Sequence, residues 1–335
     1  MIRPRVLLVL VCGLAGLTAV VLGSAIVQAE EPVQKVVRVG FVDPQSRSTS
    51  SLRYPAVFWE HLRELGYVEG QNMVIESRWA DARLDRLPAL MAEVIGQKVD
   101  VLVTFGTPAA LAARNATSTI PIVVAAMGDP VATGLAASLA RPGGNLTGLS
   151  MGYAEGTAGK WLEILKEAVP RLSTVALVMN TANPLEQQLE RELATVAAAQ
   201  HLKLQVIDGR ESEALERAFE LARRKAQGVL VLADPVTNTH RKQIIALAAR
   251  VRLPTLYAMT ASVDDGGLMA YGPNVAVMFR RAAELVDKIL KGARPADLPI
   301  EQPTQYQLRV NLKTARVLRL TFPESILVRA DEVIR

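Results

Sequence analysis

The sequence predicts an α/β protein of two doubly wound, parallel-sheet lobes joined by a multi-strand hinge. Three observations carry this expectation. Short β-rich runs alternate with amphipathic helical stretches, which implies parallel strands wrapped on both faces. The alternation runs through twice, with proline-containing turns at matching places. About 300 residues follow an apolar leader, enough to build two cores.

Val36–Val42 reads as the first buried strand, ending at Asp43-Pro44. Phe58, Leu62 and Leu65 recur at helical spacing, with Gly66 where a helix stops. Met73–Arg78 is a second strand. Asp85 can cap a helix whose stripe is Leu87, Leu90, Met91, Val94 and Ile95. Asp100–Phe105 is a third strand, followed by Gly106-Thr107-Pro108 and an alanine-rich helix, and Ile120–Ala125 is a fourth.

The second round begins with the strand Thr174–Met179, the turn Asn180–Pro184 and a helical stripe of Leu185, Leu189, Leu193 and Val196. Lys203–Ile207, Gly228–Ala233 and Pro254–Tyr257 are further strands, the middle one ending in Asp234-Pro235. Ile120-Pro121-Ile122-Val123 in the first round answers Leu253-Pro254-Thr255-Leu256 in the second, a repeat of topology without identity. Leu268–Tyr271 is a short strand. A long helix carries Val275, Met278, Phe279, Ala282, Val286 and Ile289 inward and stops at Gly292. Tyr306, Leu308, Val310 and Leu312 alternate as a last strand. Lobe crossings are expected near residues 145–155, 258–268 and 295–310. The N-terminal lobe then takes 36–150 plus about 260–305, and the C-terminal lobe 151–259 plus about 306–335.

The leader speaks to the compartment. Arg3 and Arg5 precede Val6–Val27, which holds no charge and ends in Val27-Gln28-Ala29. This pattern is that of a secretory signal, residues 1–29, cut after Ala29; an uncleaved membrane anchor is the alternative, because the run is long enough to span a bilayer. Cleavage removes two arginines and no acid, taking the net charge from +5 to +3. It also removes Cys12, the only cysteine, and with it any disulfide, thiolate metal site or cysteine nucleophile. The remaining base is scattered, which gives no footprint for nucleic acid.

Gly148-Leu149-Ser150-Met151-Gly152 matches the G-x-S-x-G of a serine hydrolase, with Asp208 or Asp234 and then His240 in the right order. Its context is poor: Pro142–Asn145 precedes it, and Tyr153–Gly156 delays the next helix. The three histidines form no pair at helical metal-ligand spacing, and neither common phosphate-binding glycine motif is present. No metal and no cofactor are expected. What remains is a set of polar and aromatic residues at the carboxyl ends of strands, the edge where open parallel sheets bind ligands. They are Asp43, Thr107 and Asp129 from one lobe, and Asn183, Asp234 and Tyr257 from the other. Thr107 can cap a helix while its hydroxyl and the amides behind it face an anion. With a carboxylate opposite, the set suits a zwitterion.

Gly266–Pro273, Leu290–Pro299, Glu301–Thr304, Asn311–Ala315, Arg329–Glu332 and Arg141–Gly148 make the sequence recognisable. From about Val36 to Arg335 it resembles the ABC-transporter substrate-binding family that includes tryptophan- and tyrosine-binding proteins. The resemblance implies the type I periplasmic-binding-protein fold. It also implies a monomeric extracytoplasmic protein that closes on a small polar solute, such as an amino acid or small carboxylate, without making or breaking bonds. The partners it implies are that solute and a membrane permease with its cytoplasmic ATPase. A secreted hydrolase using Ser150 and an extracytoplasmic sensory module are the alternatives. Arg319 stands where the family usually has glycine, and the leader lacks the lipid-attachment cysteine of some relatives.

Overall fold

The computed structural model describes residues 36–47, 53–153 and 156–335. The leader, with its expected cleavage after Ala29, lies outside the described residues.

In chain order the first round is β1 (Val37–Asp43), α1 (Arg53–Glu64), β2 (Met73–Trp79), α2 (Leu87–Gly96), β3 (Val101–Thr104), α3 (Thr107–Ala116), β4 (Ile122–Met127) and β5 (Leu146–Ser150). The second is α4 (Thr157–Ala168), β6 (Thr174–Met179), α5 (Pro184–Ala199), β7 (Lys203–Asp208), α6 (Ser212–Ala222), β8 (Gly228–Val231), α7 (Pro235–Thr239), α8 (Arg241–Arg250) and β9 (Thr255–Tyr257). The chain ends with β10 (Met269–Pro273), α9 (Val275–Leu290), β11 (Tyr306–Asn311), α10 (Leu312–Leu318), α11 (Glu324–Arg329) and β12 (Glu332–Ile334).

The first sheet is fully parallel, in the order β2-β1-β3-β4-β5. Side chains alternate across a strand, so each buried strand feeds two cores. Phe41, Val103 and Val123 join Phe58 of α1 and Phe279 of α9 on one face. Val42, Leu102 and Val124 join Met91 of α2 and Ala110 of α3 on the other. The second sheet has the order β12-β11-β10-β9-β8-β6-β7. Leu177 and Leu230 face α4 and α5, with Trp161 and Leu193, while Val178 and Val229 face α6 and α8, with Phe219 and Ile244. Both lobes are therefore three layers, helix on sheet on helix.

Three differences from the sequence reading have physical causes. β5 is a strand the sequence reading missed, because its five residues LTGLS carry two small polar members and a glycine. The segment expected to cross between lobes at 258–268 does not leave the second sheet: β10 pairs with β9 in parallel and with β11 antiparallel. The crossing comes at Asn274, which caps α9 through its side chain, so residues up to 273 belong with the second sheet. β11 is antiparallel because the chain re-enters the second lobe from the first. Finally, Asp85 lies inside a short 3-10 turn and does not cap α2. Arg319 sits at φ 57° as the left-handed end of α10, a conformation glycine takes without cost, and its side chain is exposed.

The segments that pass between lobes are bound to one another. Ser150 N donates to Glu301 O at 2.8 Å, and Glu301 N to Gly148 O at 3.0 Å. Tyr306 Oη donates to Met151 O at 2.7 Å, and its ring stacks on Tyr271. Gly148 makes this junction possible: at φ +145°, a Cβ there would lie 2.2 Å from Val124 O. Gly148→Ala forces backbone against backbone, and we expect a loss of about 1–3 kcal/mol or more in folding free energy. A urea midpoint equal to wild type would contradict this account of the junction.

Candidate functional site

The carboxyl ends of β3 and β4 face those of β6 and β8 across the junction of the lobes. Phe105, Thr107 and Met127 form one wall of the cavity between them; Asn183, Asp234 and Asn238 form the other; Met151 and Tyr153 close it from the crossover side. The lobes touch around it. Gly128 takes the Leu185 side chain so closely that a Cβ would lie 1.8 Å from Leu185 Cδ2, and Gly106 takes Pro235 in the same way. Asn238 Nδ2 donates across the gap to Gln45 Oε1. Arg53 at the start of α1 pairs with Asp264 of the other lobe at 2.7 Å. The cavity that remains measures about 20 Å³, room for little more than one water molecule.

Of the six residues singled out by sequence, Thr107, Asn183 and Asp234 line this cavity. Thr107 does so differently from expectation. Gly106 is the N-cap of α3, and the Thr107 hydroxyl instead accepts from Gly128 N at 3.0 Å, tying the end of β4 to α3. Asn183 caps α5 by accepting from Leu185 N. Asp234 caps α7 in a capping box with Thr237. Its Oδ1 accepts from Val236 N at 2.8 Å and Asn180 Nδ2 at 3.1 Å, and its Oδ2 from Asn183 Nδ2 at 2.9 Å.

Asp43, Asp129 and Tyr257 are not brought to the cavity wall. Asp43 is 0% exposed and lies behind Gln45, whose backbone N–H its Oδ1 accepts at 2.8 Å. Asp129 stands at the outer mouth, where its Oδ1 holds Val131 N and Ala132 N in a turn. Tyr257 packs into the second lobe's core with Val263 and Ile244. A strand's last residue alternates between faces, so position at a sheet edge does not by itself aim a side chain at the gap.

Several residues that the sequence reading passed over matter as much. Asn238 follows Asp234 by four residues on one short helix, a spacing that places both on one face. It links a chain of polar groups from lobe to lobe. Arg241, buried in an ion pair with Asp265 at 2.6 Å, donates to Asn238 Oδ1; Asn238 donates to Gln45; Gln45 N donates to Asp43. Glu186, in the first turn of α5, is buried beside Asp234 and accepts from Asn180 N, while its Oε1 has no partner among the described residues. The buried Tyr153 hydroxyl is likewise unpartnered among them.

Burial raises the carboxyls of Asp43, Asp234 and Glu186; hydrogen bonds from Gln45 partly offset this at Asp43, and the Asp234 charge adds to it at Glu186. Among the described residues, the donors to the Asp234 and Glu186 carboxylates are neutral amides. Among the described residues, the second lobe's wall thus presents acidic groups without a base in contact. Ser150, by contrast, is buried at the end of β5, donating to Gly128 O at 3.0 Å and accepting from Gly152 N at 3.1 Å.

Two wrapped sheets, the first parallel and the second parallel except where β10 meets β11, are joined by three crossings of the chain and close over a small cavity, which defines a two-lobed cleft protein of the solute-binding kind. The sequence profile described as ABC transporter substrate binding protein matches residues 51–334, and the chain belongs to that family. It is 25% identical over 278 residues to a tyrosine-binding protein of Clostridioides difficile, covering 82% of this chain and 80% of that one. Among solved structures it is similar to a conserved domain protein from Vibrio cholerae, with a TM-score of 0.82 and 27% identity over 89% of this chain and all of the other. It is also similar to an ABC domain from Streptococcus pneumonia in complex with L-Trp, with a TM-score of 0.80 and 23% identity over 89% and 99% of the two chains. The fold is that of the type I periplasmic binding proteins. Among the described residues, no helix is long and apolar enough to cross a membrane.

Two outcomes are expected from the buried groups. Asp43 moves from 3.8 to about 7 on folding. The folded protein then holds this proton more tightly than the unfolded chain, so stability falls as pH rises from about 4 through about 7 and levels off above. The contribution is on the order of 4 kcal/mol. Asp43→Asn, which does not titrate, should gain stability relative to wild type across that window; a pH-independent difference between their urea midpoints would contradict the burial argument. Ser150→Ala strands Gly128 O and Gly152 N, and should lower folding free energy by about 1–3 kcal/mol. Equilibrium denaturation measures this directly.

Proposed function

We propose that the protein is the extracytoplasmic receptor of an ABC importer, that its solute is an amino acid, and that it binds between the lobes without chemical change. The observation that carries this is the division of one cavity between two lobes of opposite chemical character. The first lobe contributes Thr107 and the start of α3, where backbone N–H groups and the helix dipole favour a carboxylate. The second contributes Asp234 and Asn183, with Glu186 behind them, which favour an ammonium. Among the described residues, Asp234 Oδ2 accepts from Asn183 Nδ2, which leaves a lone pair for a ligand. The tyrosine-binding relative and the L-Trp complex support an amino acid as the ligand class.

Binding to both walls at once stabilises the closed form, and a membrane permease with its ATPase would sense that shape. The hydroxyl of Ser150, engaged by two backbone groups, supports a role without bond cleavage. On this reading the leader is a signal removed after Ala29, and the mature protein acts as a monomer in the periplasm.

Calorimetry with L-tyrosine and L-tryptophan tests the assignment. Asp234→Asn should weaken binding by about 2–5 kcal/mol, because the ligand ammonium loses its charged partner in a closed cleft. Asparagine still caps α7 through its oxygen, but its amide nitrogen would face the Asn183 Nδ2 donor, so the unliganded melting temperature should fall as well and affinity is compared on folded protein. Thr107→Ala should weaken binding less, by about 0.5–1.5 kcal/mol, since the helix amides remain. Unchanged affinity in both variants would remove this site.

A further inference from the structure

Resting on the reading that the solute brings an ammonium to Asp234, we infer that Glu186 and Asp234 form one buried acid pair, which keeps a proton until that cation arrives and then gives it up to solvent. The pair is defined by its donors. Glu186 Oε2 accepts from Asn180 N at 2.5 Å and Asp234 Oδ1 from Asn180 Nδ2 at 3.1 Å, so one asparagine reaches both carboxyls. Both residues are buried, Glu186 at 1% and Asp234 at 2% exposure. Among the described residues their donors are neutral amides, and Glu186 Oε1 has no partner. Two carboxylates in one water-poor site repel, and with no cation beside them the favoured state keeps one proton between them. That proton belongs to the pair and not to either residue alone. Burial first, and the Asp234 charge second, hold the Glu186 carboxyl well above its usual range, against the single amide bond from Asn180.

The charged groups of the surrounding elements are engaged elsewhere. Asp208 at the end of β7 is held by Arg210 and Thr181, Arg241 of α8 by Asp265, and Lys160 of α4 by Glu163. Across the gap, Asp129 accepts from the amides of its own turn. Burial raises the phenols of Tyr153 and Tyr306, which stay neutral, and lowers His240 at the end of α7. Asn180, Asn183, Glu186 and Asp234 all belong to the second lobe, so the pair stays assembled while the lobes stand apart. That matters because the cavity of about 20 Å³ has room for little more than one water. The ammonium therefore meets Asp234 with the lobes further apart than here. Its charge then replaces that of the proton: the carboxyl O–H of the pair ionises, the proton passes to solvent, and the site keeps the same net charge.

The protein without solute gives the first test. A proton held more tightly in the folded state stabilises at low pH, and that contribution is lost as pH rises. For Glu186 the loss begins near the ordinary carboxyl value of 4.5. Glu186→Gln keeps the shape of the protonated acid and does not titrate. In urea unfolding it should gain on wild type by about tenfold in the unfolding equilibrium constant per pH unit above that point. In an Asp234→Asn background the same gain should span a narrower range of pH, because the neighbouring charge is gone. Should the double variant fail to fold, infrared spectroscopy near neutral pH reads the pair in wild type as a protonated-carboxyl band that Glu186→Gln removes. Asp43, also raised, contributes to both proteins and cancels in the difference. Calorimetry with L-tyrosine and L-tryptophan, in buffers of different ionisation enthalpy, then counts protons. Wild type should release about one proton per solute bound, and Glu186→Gln far less. A pH-independent difference between Glu186→Gln and wild type overturns the held proton. The same profile with and without Asp234 overturns the pairing, and solute binding without proton release overturns the exchange. If neither amino acid binds while the pH-dependent difference persists, the pair stands and the amino-acid reading falls.

Discussion

The cleft exists because three stretches of backbone run side by side at the junction of the lobes. β5 and the segment around Glu301 exchange N–H···O bonds, and Tyr306 ties the next stretch to Met151 and Gly152. These contacts fix where the second sheet starts relative to the first. A close backbone approach of this kind admits no side chain at Gly148, and it leaves the serine of the G-x-S-x-G sequence as a bracket between chain segments. The motif is therefore legible as a consequence of packing. Away from this axis the lobes are held across the gap by contacts that include Gln45–Asn238 and Arg53–Asp264.

The alternation of buried strands and striped helices was legible to within a few residues for β1, β2, β6, β7 and α9, because β1 and β6 have apolar runs, β2 and β7 have short β-branched or apolar stretches, and α9 has a full helical stripe. β5 was not, since a strand with a glycine and two small polar residues looks like loop until its neighbours bury it. Lobe membership of β10 was not legible either: nothing local distinguishes a strand that precedes a crossing from one that follows it, and hydrogen-bonding partners decide. Within the cavity, Thr107, Asn183 and Asp234 followed from position at strand ends. Asp43 and Tyr257 share that position but turn into the cores, and Asn238 and Tyr153 come from a short helix and a crossover that pattern alone does not aim.

The polar groups of the second lobe are arranged for a water-poor space. Asp234 gathers Asn180, Asn183 and the start of α7 about itself, so its position is determined by four groups and not by its own rotamer. In such surroundings charge interactions are stronger than at an exposed surface, and the same scarcity of solvent makes an unmatched carboxylate unfavourable. A wall of this kind discriminates among visitors by charge as much as by shape.

The discontinuous path of the chain bears on how the molecule is made. α9 covers one face of the first sheet, packing Phe279 against Tyr54 and Phe105, yet it follows β5 only after the whole of β6 to β10 has intervened. During synthesis the first lobe emerges with that face bare, and its apolar strands stay uncovered until residues up to Leu290 have left the ribosome. Such long-range pairing slows folding and exposes sticky surface meanwhile. On the proposed reading of an exported receptor this delay would be an advantage, because a nascent lobe that cannot finish its core would stay unfolded long enough to be threaded across a membrane.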